Sequence, residues 1–209
     1  MPRAPVNSVA GMRWDNLFDD LESQLEQELG AEEVDLLAEE ERLRLGRLTV
    51  RDRVVGMTRL GEGGPERLRL ALHDGSLITV AVGSVGRDWI AGELIGARRG
   101  SCVIPLAAVA GVLPTAEQLE RSGGPEQAVE AAVALSARLG LAFVLRDLCR
   151  RRAAVELSTA SEERLHGTID RVGRDHLDLA EHEAGVPRRA AAVDRIRILP
   201  LGELLLVRF

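Results

Sequence analysis

The sequence predicts a mainly β member of the α+β class: two tandem small β-barrels, each preceded by a helix, behind an acidic amphipathic N-terminal helix. Three observations carry this expectation. One pattern, a helix-like run followed by short strands, occurs twice around a shared Val-Gly-Arg-Asp, at residues 85–88 and 172–175. The strand-like segments alternate apolar with polar residues and are punctuated by Gly, which suits short curved strands of a closed barrel better than a flat sheet. The N-terminal region instead repeats its apolar residues at helical spacing. Two supersecondary units of similar length are hard to obtain by chance, so the repeat predicts a duplication.

Taken in order, residues 1–12 read as disordered, and Met12, directly before Arg13 and Trp14, reads as an alternative start. A helical arm is expected over 13–56. Within it Trp14, Leu17, Phe18, Leu21, Leu25 and Leu29 fall on one helical stripe with acids opposite, and Gly30 is a plausible stop. A second helical run is expected from 33 to about 55, carrying Leu36, Leu37, Leu43, Leu45 and Leu48. Trp14 and Phe18 are two of only five Trp or Phe residues in the chain, and on an amphipathic helix they can anchor it in a partner's groove.

The first barrel is expected over 57–114. Leu68, Leu70 and Leu72 alternate with Arg67, Arg69 and Ala71, and Asp74-Gly75 is a hairpin signal before Ile78, Val80 and Val82. Gly83 and Gly86 predict a bulge or bend where the strand curves, and Gly167 and Gly173 fall at comparable places in the second copy. A linker is read at 115–125, then a long connecting helix over 126–152, then the second barrel over 153–209. The repeat extends to Arg44-Leu45-Gly46 against Arg138-Leu139-Gly140, and to Leu113-Pro114 against Leu199-Pro200.

Charge is uneven. Residues 15–41 hold twelve acidic and no basic residue; with Arg3 and Arg13 the first 41 residues carry a net −10, leaving +4 on the rest of a chain whose total is −6. An acidic arm beside a basic body can mask a basic face or contact a basic partner. Lys is absent and all 27 basic residues are Arg, which rules out a Schiff base and a phosphate-binding P-loop lysine. Tyr is absent too. No run is long and apolar enough to span a bilayer, and residues 1–13 lack a secretory apolar core. The expectation is a cytoplasmic chain, away from membranes, with Cys102 and Cys149 reduced.

Each strand set resembles the Sm-like small barrel, which in that family is an N-terminal helix and five bent strands. The second copy is closer, with Leu165, Gly167, Ile169, Val172, Leu177 and Leu179 placed like the family's second and third strands. The whole chain is similar to a functionally uncharacterised actinobacterial family of tandem small-barrel proteins that often open with Met-Arg-Trp, as Met12, Arg13 and Trp14 do here. The RNA-binding rings of the Sm-like family use an Arg-Gly-containing second motif, or a Tyr or Phe, Lys, His signature in the Hfq branch. The closing strands here read Ile104-Pro105-Leu106 and Arg195-Ile196-Arg197, so the resemblance implies the fold more than the binding. Base stacking also wants exposed aromatics, and the barrels offer Trp89 and Phe209.

Other chemistry is weakly signalled. His176, Glu181, His182 and Glu183 follow no zinc spacing, and 61–65 leads into a strand rather than a helix, unlike a phosphate cradle. Ser101-Cys102 has no His or acid at a recognisable spacing. The sequence therefore predicts no enzyme, cofactor or metal site. It predicts a protein partner or a homo-oligomer, bound through Trp14, Leu17, Phe18 and Leu21 or through a barrel edge such as the apolar tail 204–209. The alternative is nucleic acid, RNA above all, held by Arg150, Arg151, Arg152, Arg188, Arg189, Arg195 and Arg197.

Overall fold

The computed structural model describes residues 33–58, 65–96, 99–123, 135–161, 163–185 and 188–209. Two compact units divide the chain, Met1–Leu48 and Thr49–Phe209. In the first, residues 33–47 are helical (α1), with Arg42 on Glu39 and Arg44 on Glu41 one turn apart. The hydrogen bond from Arg44 holds the Glu41 carboxyl below the usual carboxylate range.

The helix expected from 33 to about 55 is in fact two helices. Thr49 interrupts it as the N-cap of α2 (Val50–Met57): its hydroxyl accepts from the Asp52 N–H, while its own N–H donates to the Asp52 carboxylate. That reciprocal box satisfies two orphan amides and makes Thr49 a better start than a helix interior. The expected linker at 115–125 likewise holds a helix, α3 (Ala116–Ser122), because Thr115 and Gln118 form the same box. The connecting helix expected over 126–152 is interrupted at 137–140: residues 135–136 are helical, α4 begins afresh and spans Leu141–Arg151 with Gly140 as N-cap in an extended conformation, and 126–134 lie outside the described residues. Arg44-Leu45-Gly46 and Arg138-Leu139-Gly140 are thus not equivalent, one lying inside α1 and the other ahead of α4.

The strands are β1 (Arg67–Leu72), β2 (Leu77–Val85), β3 (Trp89–Ile95), β4 (Gly100–Pro105) and β5 (Val109–Val112), then β6 (Ala154–Thr159), β7 (Arg164–Val172), β8 (His176–Glu181), β9 (Arg195–Pro200) and β10 (Leu204–Arg208). They form one ten-stranded sheet in the order β5-β1-β2-β3-β4-β10-β6-β7-β8-β9. Every pairing is antiparallel. Strand pairing therefore does not close each set separately, as the sequence led us to expect. β4 of the first set pairs with β10 of the second, and the sheet stays open at β5 and β9.

The duplication is visible in the register. In the first half Val82 faces Gly92 and Ser84 faces Ala91 across a bulge; in the second, Ile169 faces Leu179 and Arg171 faces Asp178 across another. Leu70–Val112 and Leu72–Val109 are matched by Leu157–Val207 and Thr159–Leu204. Gly83 sits at the first bulge as expected, but its counterpart is Asp170, not Gly167. Gly167 instead lies opposite Glu181, where a Cβ would overlap the Ala180 carbonyl.

The shared Val-Gly-Arg-Asp is a tight hairpin turn. The Gly86 N–H donates to the Trp89 carbonyl at 2.8 Å, and the Gly173 N–H donates to the His176 carbonyl at 2.8 Å. The Gly carbonyls accept from helix arginines, Arg51 in α2 and Arg146 in α4. At the other predicted turn, Asp74 accepts from the Ser76 N–H and Gly75 takes φ +79°, the left-handed region where its lack of a Cβ matters.

Two cores result, and they interlock at the junction. The first gathers Val54 and Met57 of α2 with Leu68, Leu70, Val80 and Ile90, and takes Leu205 and Leu206 from β10. The second gathers Leu141, Leu145 and Leu148 of α4 with Leu157, Ile169, Leu177 and Leu179, and takes Trp89 and Val103 from the first half. At about 1.5–3 kcal/mol for each large buried apolar side chain, these four visiting residues bind the halves into one body. Among the described residues no helix is long and apolar enough to cross a membrane.

Candidate interaction surface

The sheet edges are the first candidate surface. β4 and β10 share a short ladder, with Val207 opposite Val103 and Arg208 opposite Cys102, extended by a bond from the Phe209 N–H to the Ser101 carbonyl. Cys102 is buried there, and burial pushes its thiol up to about 11, so it behaves as a small hydrophobe. The apolar tail, expected as a free edge, is instead this internal seam.

The free edges lie elsewhere. Among the described residues no strand pairs with the outer side of β5 or of β9. Both edges expose large apolar side chains: Ile196 is 62% and Ile198 68% accessible in or beside the β9 edge, and Leu113, just past β5, is 43% accessible. Unpaired backbone groups beside exposed Ile and Leu make a template for another strand. Arg195 and Arg197, the nucleic-acid candidates on β9, alternate with Ile196 and Ile198, and this alternation of Arg with Ile is the signal for an edge with one polar and one apolar face.

The second candidate is the arginine set, and the structure disperses its charge. Arg150 and Arg151 both bond Asp147 within α4. Arg188 is paired twice with Asp170, which raises its already high pKa through the hydrogen bonds. Arg195 and Arg197 both reach Glu181, and Arg197 also binds Glu163. Arg152, in a left-handed C-cap conformation at φ 51°, and Arg189 are exposed. Five of the seven thus have a carboxylate against the guanidinium, which lowers the field they offer a phosphate.

His176 and the His182 end of β8 lie apart: His176 bonds Asp175, while buried His182 bonds Thr168 Oγ1 and the Glu183 carbonyl. A cleft of about 850 Å³ between the halves is lined by Leu94, Ile95, Glu156, Glu163 and Arg208, among others. Its charges are largely matched internally, with Arg208 on Glu156 and Arg197 on Glu163. Trp14, Leu17, Phe18 and Leu21 lie outside the described residues. In the helix that is described, α1, Val34, Leu36, Leu37, Leu43 and Leu45 are exposed.

Set against known proteins, the chain matches no family model, no curated protein and no solved structure.

Proposed function

We propose that this chain is a non-enzymatic interaction module of the cytoplasm: a tandem of two Sm-like small-barrel units that binds protein through its open sheet edges. The observation that carries the reading is the coincidence of unpaired strand edges with exposed Ile196, Ile198 and Leu113. Isolated exposed hydrophobes need no explanation, but a row of them beside unsatisfied backbone groups favours strand addition. Each half supports the Sm-like part of the reading by its helix, five strands and bulge in the second strand. The carboxylate partners of Arg150, Arg151, Arg188, Arg195 and Arg197 weigh toward protein rather than nucleic acid.

Sedimentation of the full chain over a wide concentration range, beside titration of labelled single-stranded RNA and duplex DNA, tests this. Expected is little nucleic-acid binding and a protein-concentration-dependent mass. Tight binding of either nucleic acid that collapses by orders of magnitude between about 50 and 200 mM salt would overturn the reading in favour of an Arg-driven binder.

A further inference from the structure

We propose that the cleft between the halves is a binding site for a free fatty acid, whose acyl chain lies on the open mouth of the first core and whose carboxylate pairs with Arg164. The inference goes beyond the sheet edges, from which this site is separate. The duplication supplies the comparison that carries it. Leu94 faces Val80 as Glu181 faces Gly167, in each case two residues from the pair that precedes the bulge, Val82–Gly92 or Ile169–Leu179. Leu94 and Glu181 therefore hold one place in the repeated frame, and Ile95 and His182 the next. Leu70–Ile78 matches Leu157–Leu165, which sets Leu72 against Thr159 and Leu77 against Arg164.

The halves fill these places with opposite chemistry. In the second half charge closes the mouth of the core: Glu181 is buried and bonded by Arg195 and Arg197, and Arg197 also reaches Glu163. His182, beside it, is buried against Thr168. In the first half the same places hold Leu72, Leu77, Leu94 and Ile95, and all four line the cleft of about 850 Å³. Leu72 and Leu94, with Leu206 of β10, belong to the first core and form the floor, while Leu77 is 61% and Ile95 36% accessible at the lip. A continuous apolar path from core to surface, where the sister half is polar, marks a binding surface. The volume lies within the range of small-molecule pockets.

The opposite wall selects the head group. It comes from β6 and β7, with Ser158, Thr159 and Arg164. Its carboxylates are already matched, since Arg208 bonds both oxygens of Glu156 and Arg197 bonds Glu163. Asp74, on the turn of the first wall, accepts from the Ser76 N–H. Arg164 is exposed and, among the described residues, pairs with no carboxylate. A ligand whose tail lies on leucines and whose charge meets Arg164 is an amphipathic anion, and a guanidinium takes a carboxylate through two parallel N–H donors.

Calorimetric titration of the full chain with decanoate, kept below its micellar concentration, tests the site. Decanoate binds saturably, one molecule per chain. Hexanoate binds about fiftyfold or more weakly, because each buried methylene is worth about fourfold. Decylammonium binds about tenfold more weakly than decanoate, because it brings a like charge to Arg164. Arg164→Gln weakens decanoate about fivefold and leaves decanol unchanged, whereas Leu77→Gln weakens both about tenfold. Both residues are exposed, so the variants keep the fold, as circular dichroism and melting establish. Phe143→Gln removes an exposed apolar side chain from α4, away from the cleft, and leaves decanoate binding unchanged. Absence of saturable decanoate binding overturns the proposal. So does a loss on Phe143→Gln equal to that on Leu77→Gln, which means adsorption to any apolar surface, or decylammonium binding as tight as that of decanoate. Retention on phosphatidylglycerol vesicles without binding of free decanoate overturns it in favour of a lipid surface. None of these outcomes bears on the sheet edges, which sedimentation tests separately.

Discussion

The two halves share their register down to the bulges, yet equivalent positions have opposite surroundings. At the seam, Val103 and Val207 are sealed into the second core, while Ile198 and Val112, in the same places on the outer strands, are left at open edges. The turn shows the same split. Trp89 is buried, and its indole N–H donates to the Leu139 carbonyl at 2.9 Å; His176, at the matching position, is half exposed and bonds Asp175. Position in the duplicated sheet, rather than the local strand, decides which copy of a residue belongs to the core.

The largest effects should separate the seam from the edge. Val103→Asp places a carboxylate in a dry core and is expected to cost about 4 kcal/mol of stability, measured by urea denaturation. Ile198→Asp should change the stability of the isolated chain by no more than about 0.5 kcal/mol, because its side chain already meets water. Equal losses at the two sites would erase the distinction between seam and edge.

Next come the turns. Trp89→Ala removes a large buried ring and is expected to cost about 3 kcal/mol, against about 0.5 kcal/mol or less for His176→Ala. The preceding glycines sharpen the contrast. A Cβ at Gly86 would overlap the Trp89 ring, and one at Gly173 would overlap the His176 ring. The indole is pinned by its core and by Leu139, whereas the imidazole can swing into solvent. Gly86→Ala should therefore lose about 2 kcal/mol and Gly173→Ala under about 0.5 kcal/mol by thermal denaturation.

Much of this fold was legible in the sequence because its signals are local. Asp74-Gly75, the alternation of Leu68, Leu70 and Leu72, and the paired Val-Gly-Arg-Asp turns each report a backbone need of a few residues. The seam was not legible, since nothing in Val103 or Val207 alone says that β4 meets β10 across a hundred residues of chain. Two helix boundaries were missed for a different reason. Thr49 with Asp52, and Thr115 with Gln118, are capping boxes written in the sequence, but apolar periodicity drew one helix through Thr49, and the Pro-Gly-Ser composition hid the short helix after Thr115. Gly140 offers no side-chain cap at all, so the start of α4 depends on a partner distant in sequence.

That partner supplies the smallest contrast. Asp88 Oδ1 accepts from the Leu141 N–H at 2.7 Å, and the Arg87 and Trp89 N–H groups both reach the Leu139 carbonyl, so the first turn of the duplicated pair caps the helix of the second half. Asp175 is the same residue in the second turn, but its side chain is exposed and bonds His176, which holds its carboxyl below the usual carboxylate range. Removing a cap of this kind is worth about 1 kcal/mol. Asp88→Ala should therefore lower stability by about that amount and fray the start of α4, seen as faster amide exchange at Leu141 to Val144. Asp175→Ala should leave both nearly unchanged in the isolated chain. If Asp175→Ala frays α4 as much as Asp88→Ala does, the turn acts within its own half, and the capping of one half by the other is not what joins them.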